Sequence, residues 1–456
     1  MKKRILSCFM ALALCLTLLP ATALAAEPHT HPICGKTCSH NSDTAPHEDV
    51  SFGTALTSST NKLFADGIEV EKSGIVYKLP AGSYYLADNI TISCPVYVEI
   101  GTVNLCLNGH TITLQNSREA VFTINNSGAT LNLTDCSKSE TATIGHNVNP
   151  RENGGGVSVT SGTFNMYGGT ISGNKANSGV YVGNGGTFTM NGGTISGNTA
   201  TKGGGVGVYR AAKFEMNNSA SITDNTANQG GGVYVENGGV FTMNDQAAVK
   251  DNKASVRYSS SFSDTVFGGG IYVNGTLNLN GGSVTGNTAY LRGGGIYVDT
   301  KGTVTLGTST VTVKGNTIHS GDFTDNVYLV GNTKLVAENA PAKNTSIGIS
   351  VPLSRATAGS VVITNAEGSI KANDARFPRD ISEINLERSG DDLKVTLPVH
   401  KHGAVIYTPV ERLSDIKGAG NYYLVQDSTM TGSLTIAADI HNQAGTFSVN
   451  AKGSVE

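Results

Sequence analysis

Short apolar segments that alternate with polar residues dominate this chain. In VYV at 233–235 and FTM at 241–243, alternation with period two places the valines, the phenylalanine and the methionine on one side, and Tyr234 and Thr242 on the other. A third segment of the same kind follows, as around Ile195. These segments show no 3.6-residue period that would indicate an amphipathic helix. The pattern predicts an all-β protein.

These segments recur in a glycine-rich repeat. Units such as GGGVYVENGGVFTMNDQAAVKDNKA, which begins at Gly230, follow one another clearly over residues 154–317. Their equivalent apolar positions lie 24, 26, 27, 36 and 27 residues apart, at Phe164, Phe188, Phe214, Phe241, Leu277 and Val304. The longest spacing reflects an insertion between Ser255 and Phe267. Three short strands in a unit of about 25 residues predict one turn of a three-sided parallel β-helix.

The third strand of each unit is followed by Gly-Asn or Asp-Asn. Glycine supplies a positive φ at such a turn, and Asp or Asn tolerates it next best. Asparagine side chains stacked about 4.8 Å apart in successive turns are expected to bond to one another, because buried polar groups need partners. The pattern favours a structural ladder over catalytic residues, and its predicted members are Asn174, Asn198, Asn225, Asn252, Asn287 and Asn316.

Strand-like runs on both sides of the clear repeats extend the predicted β-helix domain to residues 73–398. The sequence YYL at 84–86 reappears at 422–424, so residues 399–456 are predicted to begin a second, incomplete module. The His- and Cys-containing segment over residues 26–72 is expected to be flexible.

The first residues predict export. Residues 1–25 join a basic start, an apolar run and an Ala-Leu-Ala sequence, which is typical of a secretory signal peptide, and no other stretch suits a membrane span better. Loss of this segment takes the formal charge from −3 to −6 and leaves no cluster of lysines or arginines. That balance argues against nucleic acid or an anionic membrane as a partner. We predict an extracellular protein, secreted or on the cell surface.

Imidazoles and thiols are concentrated just after the predicted signal, at His29, His31, Cys34, Cys38 and His40. These groups suit zinc, and the Cys-x3-Cys spacing lies within the looser range of structural zinc sites. The alternatives are a disulfide or a linker without a metal.

Five of the seven cysteines remain after signal removal, and an odd number excludes a complete disulfide framework. Cys94, Cys106 and Cys136 lie in or just after strand-like runs, where we expect small buried thiols or one disulfide.

Asp224 and Asp251 hold equivalent places in consecutive turns, immediately before ladder asparagines. A pair of carboxylates is able to bind calcium or to act as acid and base. Turn residues that tolerate a positive φ explain the pair equally well, and this structural interpretation is favoured.

Tyrosines hold the middle of the Val-Tyr-Val strand, which alternation points outward; Ser158 and Gly207 interrupt the column. Aromatic faces repeated along a sheet suit stacking on sugar rings or contact with a protein. The alternative is that neighbouring tyrosines stack on one another, and it is favoured. The candidate ligand-binding residues are Tyr181, Tyr234, Tyr272, Tyr297 and Tyr328.

The repeat GGGVYV followed by FTMNGGTISGNTA, with the lead-in sequences AGSYYLADNITI and LCLNGHTI, resembles that of right-handed parallel β-helix surface proteins from Gram-positive, largely gut-dwelling bacteria. The resemblance covers roughly residues 75–320. More distantly, the glycine-rich turns are similar to those of the chlamydial polymorphic outer-membrane adhesins. This resemblance implies a right-handed, pectate-lyase-like β-helix with an exposed, adhesin-like role.

Three functions stay open, because the same fold also carries polysaccharide lyases and hydrolases. The favoured one is a non-enzymatic β-helix that presents a long face to a glycan or to a host or neighbour-cell protein. A polysaccharide lyase or glycoside hydrolase is the second, but the repeat carries Thr, Ser, Asn and Gly where clustered acids would be required. A structural spacer is the third. Specificity is expected in the insertion, a long exposed loop.

Overall fold

The computed structural model describes residues 29–33, 49–137, 142–146, 154–176, 178–255, 266–318, 323–337, 339–352, 355, 359–365, 375–380, 385–390, 392–396, 400–402, 405–410, 422–424, 428–430, 440–442 and 447–449. Within these ranges the chain forms β-strands joined by turns. The prediction of an all-β protein is therefore confirmed, and most strands belong to long parallel sheets.

Successive repeats stack by parallel pairing of their equivalent strands. Thr187–Met190 pairs in register with Lys213–Met216, which pairs in turn with Val240–Met243. Each strand satisfies its backbone groups through the repeats before and after it, so a single repeat has no complete sheet of its own. We call this arrangement the stack; it is compatible with a β-helix.

Two columns of strands form the largest sheet. Face 1 holds the Val-Tyr-Val segments and face 2 the Phe-Thr-Met segments, and the long strands Phe122–Thr134 and Val157–Met166 run through both. The other strands of face 1 are Val76–Leu79, Val96–Val98, Val180–Val182, Val206–Val208, Val233–Val235, Ile271–Val273, Ile296–Val298, Val327–Leu329 and Ile349–Ser350. The other strands of face 2 are Gly82–Leu86, Gly101–Cys106, Thr187–Met190, Lys213–Met216, Val240–Met243, Thr276–Leu279, Thr303–Leu306, Leu335–Ala337 and Val361–Asn365.

The third segment of each repeat forms a separate parallel sheet, face 3. Its strands are Ile90–Ile92, Ile112–Leu114, Thr143–His146, Thr170–Ser172, Thr194–Ser196, Ser221–Thr223, Ala248–Lys250, Gly282–Thr285, Val311–Lys314 and Ser346–Ile347.

The structure adds a short fourth strand that the sequence pattern did not predict. We call these strands the corner ladder: Lys175–Ala176, Thr199–Ala200, Thr226–Ala227, Lys253–Ala254, Thr288–Ala289 and Thr317–Ile318, with Phe323–Thr324 antiparallel at the end. Two residues are too few to show alternation, which is why the pattern missed them.

Shorter strands surround the stack at its first residues. Thr54–Ser59 pairs in parallel with Gly82–Leu86 and antiparallel with Lys62–Ala65. We predicted a flexible segment over residues 26–72, yet within it Leu56 and Leu63 are buried in the main core. The remaining strands of this region are His29–Pro32, Asp49–Phe52, Ile68–Glu69 and Lys72–Ser73.

Antiparallel strands follow the last parallel ones. Asp392–Thr396 pairs with Val361–Asn365 on one side and with Asn385–Ser389 on the other. In the predicted second module, Tyr422–Leu424 pairs in parallel with both Val405–Val410 and Ile440–Asn442. The other strands there are His400–His402, Ser428–Met430 and Phe447–Val449.

The core consists of equivalent apolar side chains stacked repeat upon repeat. The rings of Phe164, Phe188, Phe214 and Phe241 are fully buried or nearly so, and successive ring centres lie 4.8, 4.8 and 4.7 Å apart with nearly parallel planes. Stacking of the aromatic rings and burial of large apolar surface both stabilise this column. The inward side of the alternating pattern thus forms one continuous core along the stack.

The predicted asparagines lie in a buried column at the corner between face 3 and the corner ladder. The residue before each has a positive φ, for example 63° at Gly197 and 56° at Asp224. From Asn174 to Asn316, each side-chain Nδ2 donates to the Oδ1 of the next asparagine at 2.8 to 3.0 Å. Every buried amide therefore has its partner in the adjacent repeat.

The ladder continues past its predicted members and has an ionisable group at each end. Asn326 extends it, and the Nδ2 of Asn326 donates to Asp380 Oδ1 at 2.7 Å. At the other end, His146 Nδ1 lies 2.9 Å from Asn174 Oδ1, and His146 Nε2 lies 2.9 Å from the carbonyl oxygen of Glu119. The N–H groups of the ladder point toward Asp380, and its side-chain carbonyl groups point toward His146.

Candidate functional site

A polar groove of about 570 Å³ runs along the outside of face 3. Apolar residues such as Ile195 point into the core, so alternation turns the hydroxyl side chains outward. Register pairing places Thr170, Thr194 and Ser221 in one row, while a second, parallel row contains Ser196 and Thr223. All five of these residues line the groove, and hydroxyl groups in rows both donate and accept hydrogen bonds.

One carboxylate and one ammonium group also line the groove. Asp135 belongs to the first of the repeats along it, and the exposed Lys250 belongs to the last. Asp135 Oδ1 accepts from the backbone N–H groups of Gly109 at 2.9 Å and Ser137 at 3.2 Å, and its Oδ2 accepts from Ser137 Oγ at 2.8 Å. These donors hold the carboxylate in place, so it is a positioned acceptor rather than a mobile surface charge.

The predicted acidic pair lies at the corner next to this groove. Asp224 and Asp251 are exposed and both have a φ of 56°, which is the left-handed conformation that the turn requires. The hydroxyl of Thr223 donates to Asp224 Oδ2 at 2.9 Å. Neither aspartate belongs to a group of three or more metal-binding side chains among the residues that the structure describes.

The tyrosine column of face 1 is largely covered. Tyr234, Tyr272, Tyr297 and Tyr328 are between 3% and 8% exposed and form a cluster separate from the main core. Their ring centres lie 5.2 to 5.9 Å apart in stacked pairs. The rings point away from the core, as alternation predicts, but they cover one another and so do not present open faces to a ligand.

Tyr209 makes this column continuous where the sequence interrupts it. Its ring stacks on Tyr181 with centres 4.7 Å apart and contacts Tyr234 with centres 5.9 Å apart. The space that it uses exists because position 207 is glycine: a Cβ on Gly207 would lie 2.7 Å from Tyr209 Cε2. The alternating pattern does not indicate Tyr209, because this residue follows the strand instead of occupying its central position.

Side chains from the preceding repeat also cover the tyrosines. Lys202 Nζ donates to the hydroxyl of Tyr234 at 3.1 Å, and the ring of Phe267 stacks on Tyr297 with centres 4.4 Å apart. Burial raises the pKa of Tyr297 to about 12. The four buried tyrosines therefore pack on one another, whereas Tyr181 is half-buried, and the ligand-binding role of the column stays a prediction.

Two rows of amides on face 2 were not anticipated. Asn217 Nδ2 donates to Asn191 Oδ1 at 2.9 Å, and Asn244 Nδ2 donates to Asn217 Oδ1 at 2.8 Å. Each of these asparagines directly follows the inward methionine of its strand, a regularity in the sequence that could have revealed them. A second row joins Asn104, Asn132 and Asn165.

An imidazole and two thiols meet on the outside of face 2. One ring nitrogen of His31 and the sulfur atoms of Cys106 and Cys136 all lie within 4.8 Å of one another. The two sulfurs are 3.3 Å apart as free thiols. This group is close enough to hold a metal ion, and it combines one residue of the predicted metal segment with two cysteines that we expected to be structural.

The predicted metal ligands also include four residues besides His31. Cys34, Cys38 and His40 lie outside the described residues, and His29 is described only as part of a strand. The signal segment over residues 1–25 and the centre of the insertion, residues 256–265, also lie outside them.

Two further findings bear on what this chain is. In the described ranges, no helix has the length and hydropathy needed to cross a bilayer. Searches of protein-family models, of curated proteins and of solved structures each returned no match to the chain.

Proposed function

We propose that this protein is an extracellular, adhesin-like protein, secreted or on the cell surface, that binds a glycan along the groove of face 3. The observation that carries the proposal is the groove itself, in which rows of serine and threonine hydroxyls cross several consecutive repeats. A partner that fits such rows is a polymer whose own hydroxyl groups repeat along its length.

The chemistry of the lining favours a neutral or weakly charged sugar chain. Hydroxyl groups exchange hydrogen bonds with sugar hydroxyls in either direction, and the anchored Asp135 offers two acceptor oxygens. The described residues of the lining contribute one carboxylate and one ammonium at opposite ends of the groove, which together give no strong field of either sign. None of these described residues has a large apolar side chain, which disfavours an apolar ligand.

We also propose that the stack is a right-handed, three-sided parallel β-helix. Equivalent strands pair in parallel from repeat to repeat, so each repeat is a crossover that returns to the same sheet. Such crossovers are right-handed in nearly all proteins because of the twist of the strands. The likeness of the repeats to those of bacterial surface proteins supports the same handedness. In this scheme the corner ladder belongs to the corner after face 3.

Binding is a better account of the groove than cleavage. Hydrolysis of a glycosidic bond ordinarily uses two carboxyl groups on opposite sides of the bond. Among the described residues that line the groove, Asp135 is the single carboxylate. A structural spacer remains the alternative function, and the binding experiment distinguishes it from glycan binding.

The predicted zinc and calcium sites are independent of glycan binding. Calcium near Asp224 and Asp251 stays a prediction, since both residues are explained by the turn conformation that they adopt. Zinc in the segment that contains His31 also stays a prediction at this point, and His31 is the member of that segment whose side chain the structure describes best.

The test is binding of the purified full-length chain to an array of polysaccharides, followed by affinity measurements on the strongest ligand. Thr194→Val and Ser221→Ala remove hydroxyls from the groove, and each should weaken binding by about tenfold through loss of hydrogen bonds. Thr189→Val is the matched control, because Thr189 lies on face 2, outside the groove. A chain that binds no polysaccharide, or Thr194→Val with unchanged affinity, contradicts the proposal; the first result favours the spacer.

A further inference from the structure

His31, Cys106 and Cys136 come from three separate parts of the chain. Cys106 ends the strand Gly101–Cys106, and Cys136 follows the strand Phe122–Thr134 of the next repeat. In-register parallel pairing of these strands fixes the two cysteine backbones relative to each other. His31 arrives on the strand His29–Pro32, which pairs with Asp49–Phe52.

We propose that these three side chains form a site for a single zinc ion that ties the N-terminal segment to the stack. Tetrahedral zinc with Zn–S distances of about 2.3 Å and Zn–N distances of about 2.0 Å has ligand atoms about 3.5 to 3.8 Å apart. In the structure the sulfurs are 3.3 Å apart and all three ligand atoms lie within 4.8 Å of one another, which is close to those separations.

The choice of zinc follows from the ligand atoms. Thiolate sulfur and imidazole nitrogen are preferred by zinc and by softer metals, whereas calcium and magnesium require oxygen ligands. Three protein ligands leave one tetrahedral position for a water molecule. The amide oxygen of Asn108 accepts from Cys136 Sγ at 3.5 Å and is placed to orient this ligand from outside the site.

The surroundings hold the site in shape before a metal arrives. Cys106 is fully buried and His31 is 2% exposed. The His31 ring stacks on Phe52 with centres 4.5 Å apart. Ile33 and Phe52 pack with Tyr85 and Cys106 in one apolar cluster. A prearranged site reduces the ordering cost of binding.

Zinc binds cysteine as the thiolate. A divalent ion supplies the positive charge that stabilises both thiolates, and its binding releases their two protons. Zinc affinity should therefore fall steeply as the pH is lowered.

The zinc ion would cross-link segments that lie far apart in the sequence. Without the ion, the segment around His31 is held by its strand pairing with residues 49–52 and by the apolar cluster. With the ion, it is also bonded to two successive repeats. Binding to the folded chain raises its stability by mass action.

The experiment titrates the reduced, metal-free full-length chain with zinc in competition with a chromophoric chelator, and repeats the titration with cobalt. We expect one strongly bound zinc per chain and, with cobalt, sulfur-to-metal charge-transfer absorption from two thiolates. His31→Gln and Cys136→Ser should each weaken zinc binding by more than about tenfold, because loss of a direct ligand costs more than loss of a supporting group.

Cys94→Ser is the matched control. Cys94 is a buried free thiol that lies in the main core outside this group, so its replacement should leave zinc binding unchanged. Circular dichroism and gel filtration establish that each variant is folded. Absence of zinc binding, equal affinity in His31→Gln and wild type, or a Cys106–Cys136 disulfide in the chain isolated from its natural source would each overturn the proposal.

Discussion

The ring of Tyr209 occupies the place that a side chain at position 207 would fill. A Cβ on Gly207 would lie 2.7 Å from Tyr209 Cε2 and 2.8 Å from Ser178 Oγ. The tyrosine column therefore passes through a repeat that has no tyrosine in its central position. The missing side chain at Gly207 and the ring of Tyr209 form one packing feature. Substitutions at the two positions should therefore be energetically coupled.

Gly207→Ala should lower the free energy of unfolding by about 1 to 3 kcal/mol, because the added methyl group displaces the Tyr209 ring from its stack. In a Tyr209→Ala background the same change should cost at least about 1 kcal/mol less, since the clashing ring is gone. Chemical denaturation followed by circular dichroism measures both values. Gly53→Ala is the control, because a Cβ there meets nothing within 4 Å. Equal costs in the two backgrounds would contradict the coupling.

The asparagine ladder should be far more sensitive to substitution than the outer amide rows. Asn225→Ala removes the Oδ1 that accepts both the backbone N–H and the side-chain Nδ2 of Asn198, and those donors are buried. Because the substitution leaves buried donors unsatisfied, we expect the free energy of unfolding to fall by about 2 to 4 kcal/mol. The measurement is the shift in the denaturation midpoint.

Asn217→Ala provides the comparison for the ladder. Asn217 makes the same type of amide-to-amide bond, but on the half-exposed outside of face 2, where water replaces the lost partner. Its cost should stay below about 1 kcal/mol. Similar costs for Asn217→Ala and Asn225→Ala would mean that burial of the ladder does not determine its contribution.

Stability should depend on pH through Asp325. Burial raises the pKa of this carboxyl to about 7, while Arg292 nearby acts in the opposite direction. A folded-state pKa above the unfolded value of about 3.9 means that the folded protein retains the proton between those values. The contribution of Asp325 to the free energy of unfolding is complete below about pH 4. It falls by up to about 4 kcal/mol as the pH rises to about 7.

Asp325→Asn should remove this decline because an amide does not ionise. Denaturation midpoints of wild type and variant, measured at intervals from about pH 4 to about pH 8, give the comparison. Asp88→Asn makes the same chemical change at an exposed carboxylate and should leave the slope unchanged. The interpretation fails if Asp325→Asn shows the same slope as wild type.

Much of the architecture could be predicted because the repeats are local and regular. Alternation in VYV and FTM decides which side chains enter the core, and Gly-Asn or Asp-Asn marks the turn after the third strand. Parallel stacking of identical units then places Asn174 above Asn198 whatever the details of the turns. The spacing of the repeats was enough to predict the asparagine column.

The candidate sites could be recognised only in the tertiary structure, because they depend on which side chains face one another. Alternation points the tyrosines outward, but only packing reveals that Tyr209 fills the gap at Gly207 and that the rings cover one another. Hydroxyl residues on face 3 are visible in the sequence, whereas only the tertiary structure shows that they line one groove together with Asp135 and Lys250.

What the sequence alone determined is the period of the chain and the inward or outward direction of each strand residue, since both follow from local backbone geometry. What only the tertiary structure decided is the meeting of His31 with Cys106 and Cys136. Their approach depends on a strand pairing outside the repeat and on the apolar cluster around Phe52. No local pattern encodes such a contact, because its free energy comes from packing between segments that are distant along the chain.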